Sequence, residues 1–144
     1  MKRIIGLTQF EIDEYIYKKY EDFITLSFTN PIKNITPLLV VENNIYHYLM
    51  QTLGIECGVR LTNEDIWVNA LQYEINKYDD KNFIINNIRF NNEAEFVKNN
   101  GGIIIHVITD VDIHSSGIEI DINYIDYIIS ISYLFKLIDQ ILIL

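Results

Sequence analysis

The stretch that most limits what this chain can become runs from Phe83 to Ile108. It opens with an apolar run, Phe83 to Ile88, that reads as a buried strand. A polar corner follows, Arg89 to Glu93, then a short helix with Ala94, Phe96 and Val97 as its apolar positions. Asn99-Asn100-Gly101-Gly102 stops that helix. A second apolar run, Ile103 to Ile108, completes a β-α-β unit. In open α/β sheets, ligands sit outside the carboxyl ends of parallel strands. Arg89 and Glu93 fall at such an end. Four apart at a helix start, they would also make an ordinary surface pair.

A chain of 144 residues with 49% apolar content fits one domain, residues 1–144, with a real core. Isoleucine and asparagine are abundant, a composition expected of an AT-rich and viral genome. The formal net charge of −9 argues against a grip on a nucleic acid polymer. It leaves room for a small anion in a locally basic pocket. Cys57 is the only cysteine, so no internal disulfide is expected, and a reducing, cytoplasmic setting fits. Met1 to Gly6 carries no signal-peptide pattern. Tyr124 to Leu144 is the most apolar tract, but Asp126, Lys136 and Asp139 argue against a membrane span.

The rest of the chain alternates in the same way. Arg3 to Thr8 reads as a first buried strand and Phe10 to Tyr20 as a helix. Phe23 to Phe28 is a second strand, with Pro31 suited to the first turn of a helix after it. Ile45 to Gly54 reads as a helix closed by its glycine. Thr62 is the expected N-cap of the next helix, with acids in its first turn. That helix offers two apolar rows, Ile66-Ala70-Tyr73 and Trp67-Leu71-Ile75. His106 lies inside an apolar strand, where a histidine is usually a satisfied core residue. His114 falls in a surface loop, and no Cys or second His stands at ligand spacing, so no metal site is expected. Ser115 and Ser116 lack a nucleophile elbow. Asp126 to Ile131 reads as the last strand, and Ser132 as the cap of a final helix to about Ile143. That helix is apolar on more than one face, so either the sheet covers it or it forms a homodimer contact.

Several segments resemble the viral and bacteriophage deoxynucleoside monophosphate kinases. Asn87-Ile88-Arg89-Phe90-Asn91-Asn92-Glu93-Ala94 is similar to that family's Asp-Val-Arg-Phe-x-Asn-Glu-Ala, with Asn87 in place of Asp. Thr29-Asn30-Pro31-Ile32-Lys33 resembles its Ala-x-Pro-Ile-Lys substrate loop. Gly54-Ile55-Glu56-Cys57-Gly58-Val59-Arg60 is similar to Gly-Thr-Glu-x-Gly-Arg, with one residue inserted before Arg60. Asp65 to Leu71 and Asp112 to Glu119 also resemble the family, Gly117 standing where a Glu is usual. The resemblance implies a three-layer α/β fold, a P-loop-kinase-like parallel sheet of about five strands with helices on both faces. It implies one pocket lined by Lys33, Trp67, Asn87, Arg89, Phe90 and Glu93, with Gln51, Arg60 and His114 as further candidates. On chemistry alone, Lys33 would equally be a plain surface lysine and Trp67 a core residue.

Two elements of the family are missing, both on the ATP side. After Thr8, a phosphate-binding loop G-x-x-x-x-G-K-[ST] is expected. The sequence there reads Gln9-Phe10-Glu11-Ile12, with Glu11, Asp13 and Glu14 placing negative charge where phosphate would sit. The lid arginines expected in and after the strand Ile103 to Ile108 are replaced by Ile105-His106-Val107-Ile108-Thr109-Asp110. The reading is therefore a viral, non-catalytic pseudokinase that binds and sequesters a nucleotide, for instance a defence signal. It has no catalytic residue and no cofactor. The alternatives are an active kinase transferring phosphate from ATP with magnesium, or an interaction protein that kept only the fold.

Overall fold

The computed structural model describes residues 3–8, 23–28, 52, 65–108 and 120–143. The helices expected over 10–20 and 45–54 (Thr52 apart), the Thr62 cap, and Lys33, Gln51, Arg60 and His114 lie outside them. The chain forms two compact units, Met1–Thr25 with Lys81–Leu144, and Leu26–Asp80.

The first unit is built on strands β1 (Ile4–Thr8), β3 (Asn82–Ile88), β4 (Ile103–Ile108) and β5 (Tyr127–Ser130). Strand β2 (Phe23–Ser27) straddles the boundary between units. The order across the parallel sheet is β2-β3-β1-β4-β5, the expected α/β, P-loop-kinase-like arrangement. β1 is central: Gly6 pairs with Ile85 of β3 and with Ile104 of β4. Central parallel strands are covered on both faces and so read as unbroken apolar runs. Ile4–Thr8 and Ile103–Ile108 follow this pattern, apart from Thr8 and His106.

Alternation along the strands divides the side chains between two layers. Ile5, Leu7, Ile84, Ile105 and Val107 share one face with Leu134, Ile138 and Ile141 of helix α3 (Ile131–Ile143). Those helical residues are spaced four and three apart, one stripe of the helix. Each fully buried Ile or Leu contributes about 1.5–3 kcal/mol. The sheet thus covers the apolar row of this helix, and Tyr133 is left exposed. Its cap is Ser130, not Ser132: the Ser130 hydroxyl accepts from the Ser132 N–H at 3.4 Å. The helix begins directly where β5 ends, so the serine two residues earlier is the one left in extended backbone. At the far end, Arg3 Nη1 donates to the Leu142 carbonyl at 2.6 Å, satisfying an orphan acceptor of the last turn.

Helix α2 (Asn91–Asn99) covers the opposite face through Ala94 and Val97. Gly6 lets it approach. A Cβ at Gly6 would lie 2.4 Å from Ile88 Cδ1 and 3.4 Å from Val97 Cγ2. The helix closes as expected at Asn100-Gly101-Gly102. Gly101 is left-handed, φ 73°, and the N–H groups of Gly101 and Gly102 donate to the carbonyls of Lys98 and Val97 at 3.0 and 2.9 Å. These are the two bonds of a Schellman motif. Asp126 precedes β5 rather than opening it. Its carboxylate takes both bonds from Lys98 Nζ, at 2.8 and 2.7 Å, and one from the Ile104 N–H at 2.9 Å. A short 3-10 turn, Ile122–Tyr124, leads into it.

The second unit contains helix α1 (Ile66–Asn76), with Asp65 at the N-cap position and no capping bond from its side chain. Leu71 and Ile75 are its buried stripe, so the row through Trp67 is the inner one. The row through Tyr73 is not: Tyr73 is 67% exposed. Two residues beyond Leu71, it lies about 200° further round the axis. Its ring carries the Lys77 ammonium 4.8 Å from the centroid, and Glu74 pairs with the same lysine at 2.9 Å. That carboxylate holds the Lys77 pKa above its ordinary value.

Candidate functional site

The carboxyl ends of β1, β3 and β4 lie side by side, with Thr8 in register with Ile88 on one side and His106 on the other. At the middle of this edge, the Thr8 hydroxyl shares a hydrogen bond of 2.6 Å with His106 Nδ1, and both residues are buried. His106 is therefore the satisfied core histidine its setting implied. Thr8 is the part that apolar patterning could not supply. A buried imidazole needs a polar partner, and the partner is the last residue of β1.

Beyond Ile88, the edge is formed by Arg89 and Phe90, both exposed, and then by the first turn of α2. Glu93 holds this corner. The residue is 7% exposed, and its Oε1 accepts from the backbone N–H groups of Arg89 and Phe90 at 2.9 Å each. This is the reaching-back half of a capping box, with Glu93 at N3 and Phe90 at the cap position. Phe90 has no polar atom, so the other half of the box is missing. Instead, Asn92 accepts from the Glu93 N–H at 3.0 Å. Negative charge at this helix start is stabilising, and it already sits where an anionic ligand would otherwise dock.

Of the residues expected to line a pocket, Asn87, Arg89, Phe90 and Glu93 stand together on one corner of the first unit. Asn87 is half-buried and has a left-handed backbone, φ 55°. Trp67 is half-buried on α1, in the second unit. Among the described residues, no three His, Cys, Asp or Glu side chains are grouped as a metal site requires. None of the described helices is long and apolar enough to cross a membrane.

A scan against protein-family models matches deoxynucleotide monophosphate kinase over residues 3–130. The chain belongs to this family. The match runs from the first residue before β1 to the last of β5, so the whole sheet and the Arg89–Glu93 corner lie within the matched region. Searches of curated proteins and of solved structures found no match.

Proposed function

We propose that this chain is a nucleotide-binding, non-catalytic member of the deoxynucleotide monophosphate kinase family. The observation that carries the reading is the segment after β1. It runs Thr8-Gln9-Phe10-Glu11-Ile12, without the glycines and the lysine that grip ATP. Phosphoryl transfer is catalysed almost wholly by positioned cations and donors. Without the loop, its lysine and the lid arginines, little is left to stabilise the transition state. The Thr8 side chain, turned to His106, supports the same view.

The acceptor side is better kept. Arg89 offers a planar fork of donors to a phosphate. Phe90, exposed beside it, offers a face to a base. Trp67 is the second aromatic that the family resemblance assigns to stacking, and Lys33 a second cation. Asn87 in place of Asp removes a negative charge, which favours a ligand more anionic than a monophosphate. In a viral setting such a protein would sequester a nucleotide signal in the host cytoplasm, alone or as a homodimer.

Two measurements test this. Mass spectrometry of small molecules released from the purified, denatured protein should identify a bound nucleotide. A coupled assay over all deoxynucleoside monophosphates, with Mg²⁺ and ATP, should give no ADP. The family match, which includes the region after β1, favours one other reading, an active deoxynucleotide monophosphate kinase. Robust ADP formation that is lost in Arg89→Ala would select it.

A further inference from the structure

Between Gly6 and Thr8, β1 advances two residues while its partner β3 advances three, from Ile85 to Ile88. β3 therefore carries one extra residue, a bulge, near its carboxyl end. Asn87 lies in it, at φ 55° the only left-handed non-glycine residue among those described. In a regular strand, Ile88 would share the face of Asn86, and Arg89 that of Ile85. The extra residue reverses this. Ile88 lies on the α2 face, its Cδ1 occupying the space a Cβ on Gly6 would need. Only Arg89 and Phe90 then remain before α2 begins at Asn91. Their N–H groups are both held by Glu93 Oε1.

The path of the chain at Arg89 is thus fixed at two points, Ile88 against Gly6 and the two N–H groups against Glu93. The left-handed residue between them joins the two. We infer that Asn87 is a positioning residue: through its left-handed backbone, and not by touching a ligand, it sets the direction in which Arg89 leaves the sheet. An L-residue with a long or branched side chain is disfavoured in this conformation, whereas asparagine enters it readily. The backbone role stands on the geometry alone. Its effect on ligand affinity rests on the phosphate role proposed above for Arg89.

The test compares Asn87→Gly and Asn87→Val, each with and without Arg89→Ala. Amide hydrogen exchange is followed together with calorimetry on the tightest-binding deoxynucleoside monophosphate. Asn87→Gly keeps the positive φ, so the Arg89 and Phe90 amides stay protected and affinity stays within about twofold. Asn87→Val speeds exchange at those two amides while β1 and β4 stay protected. Affinity falls about tenfold, because a smaller fraction of molecules has the competent corner. In the Arg89→Ala background, Asn87→Val causes no further loss. Weak binding by Asn87→Gly with protection intact would mean that the amide itself contacts ligand, and would overturn the inference. Unchanged protection in Asn87→Val, or additive losses with Arg89→Ala, would overturn it as well. If Arg89→Ala alone leaves affinity unchanged, the pocket reading fails, and the exchange data decide the backbone role by themselves.

Discussion

Replacing Glu93 by alanine should loosen the corner that carries Arg89. Oε1 of this buried carboxylate accepts two backbone hydrogen bonds, each 2.9 Å long. A hydrogen bond to a charged group contributes about 1.5–3 kcal/mol, and loss of a helix cap costs about 1 kcal/mol. Here one oxygen serves both donors, and both donor residues are exposed, so water can replace part of what is lost. The combined destabilisation should be about 2–3 kcal/mol. For a chain near this size, 1 kcal/mol moves the melting temperature by about 2–4 °C, so Glu93→Ala should melt about 4–12 °C lower. Glu93→Gln retains a carbonyl acceptor and should lose roughly half as much. Circular dichroism melts with urea titrations measure both. A Glu93→Ala variant that melts within about 1 °C of the parent would refute the bracing role. If that variant also lost nucleotide binding, the carboxylate would be a ligand contact.

Arg89→Ala should weaken binding of the co-purified nucleotide roughly ten- to a hundredfold, the loss of a charge-assisted contact worth about 1.5–3 kcal/mol. Trp67→Ala should lose a comparable amount, since stacking on a base is worth roughly 1–3 kcal/mol. Calorimetry showing full affinity in both variants would place the ligand elsewhere. Gly6→Ala puts a methyl group where Ile88 Cδ1 already lies, 2.4 Å away, and should cost about 1–3 kcal/mol in urea unfolding. A neutral result would mean that α2 and Ile88 shift freely. His106→Ala leaves the buried Thr8 hydroxyl without its partner and should cost about 1–3 kcal/mol. Nucleotide affinity should not move, and a selective loss of binding would give His106 a role in the site.

The parts of the fold that were legible in advance are those in which one periodicity serves one layer. Phe83 to Ile88 and Ile103 to Ile108 are mostly apolar on both faces because both faces are covered, so their runs announced buried strands. Gly101 announced the end of α2, since a Schellman motif needs a left-handed residue there. Tyr73 misled because apolar spacing does not say how wide the covered stripe is, and on α1 it is one row. Ser132 misled because two serines, 130 and 132, both suit a cap, and only the length of β5 decides between them. The Thr8–His106 pair joins residues of two strands, and nothing local marks it. The bulge leaves a trace in the sequence. Asn86-Asn87 breaks an apolar run with two adjacent polar residues, and asparagine is the non-glycine residue most at ease with positive φ. At the carboxyl end of β3, the Arg89–Glu93 spacing suggested a surface pair as readily as a site. The spacing did not show that Glu93 holds the backbone amides of Arg89 and Phe90.

The central place of β1 governs when this protein can fold. Thr8 meets His106 across 98 residues, Arg3 meets Asn82 across 79, and Arg3 caps the final helix across 139. A sheet whose middle strand is made first and whose neighbours come much later has a high contact order and folds slowly. At about 5–20 residues per second, the ribosome takes on the order of 10 s to pass from Arg3 to Leu142. Until Ile88 has been made, the apolar segment Ile4–Thr8 has neither of its sheet neighbours, β3 and β4. Exposed strand edges of this kind are where nascent chains aggregate. Yield of this protein in a heterologous host should therefore respond to chaperone supply and to translation rate more strongly than its equilibrium stability would suggest.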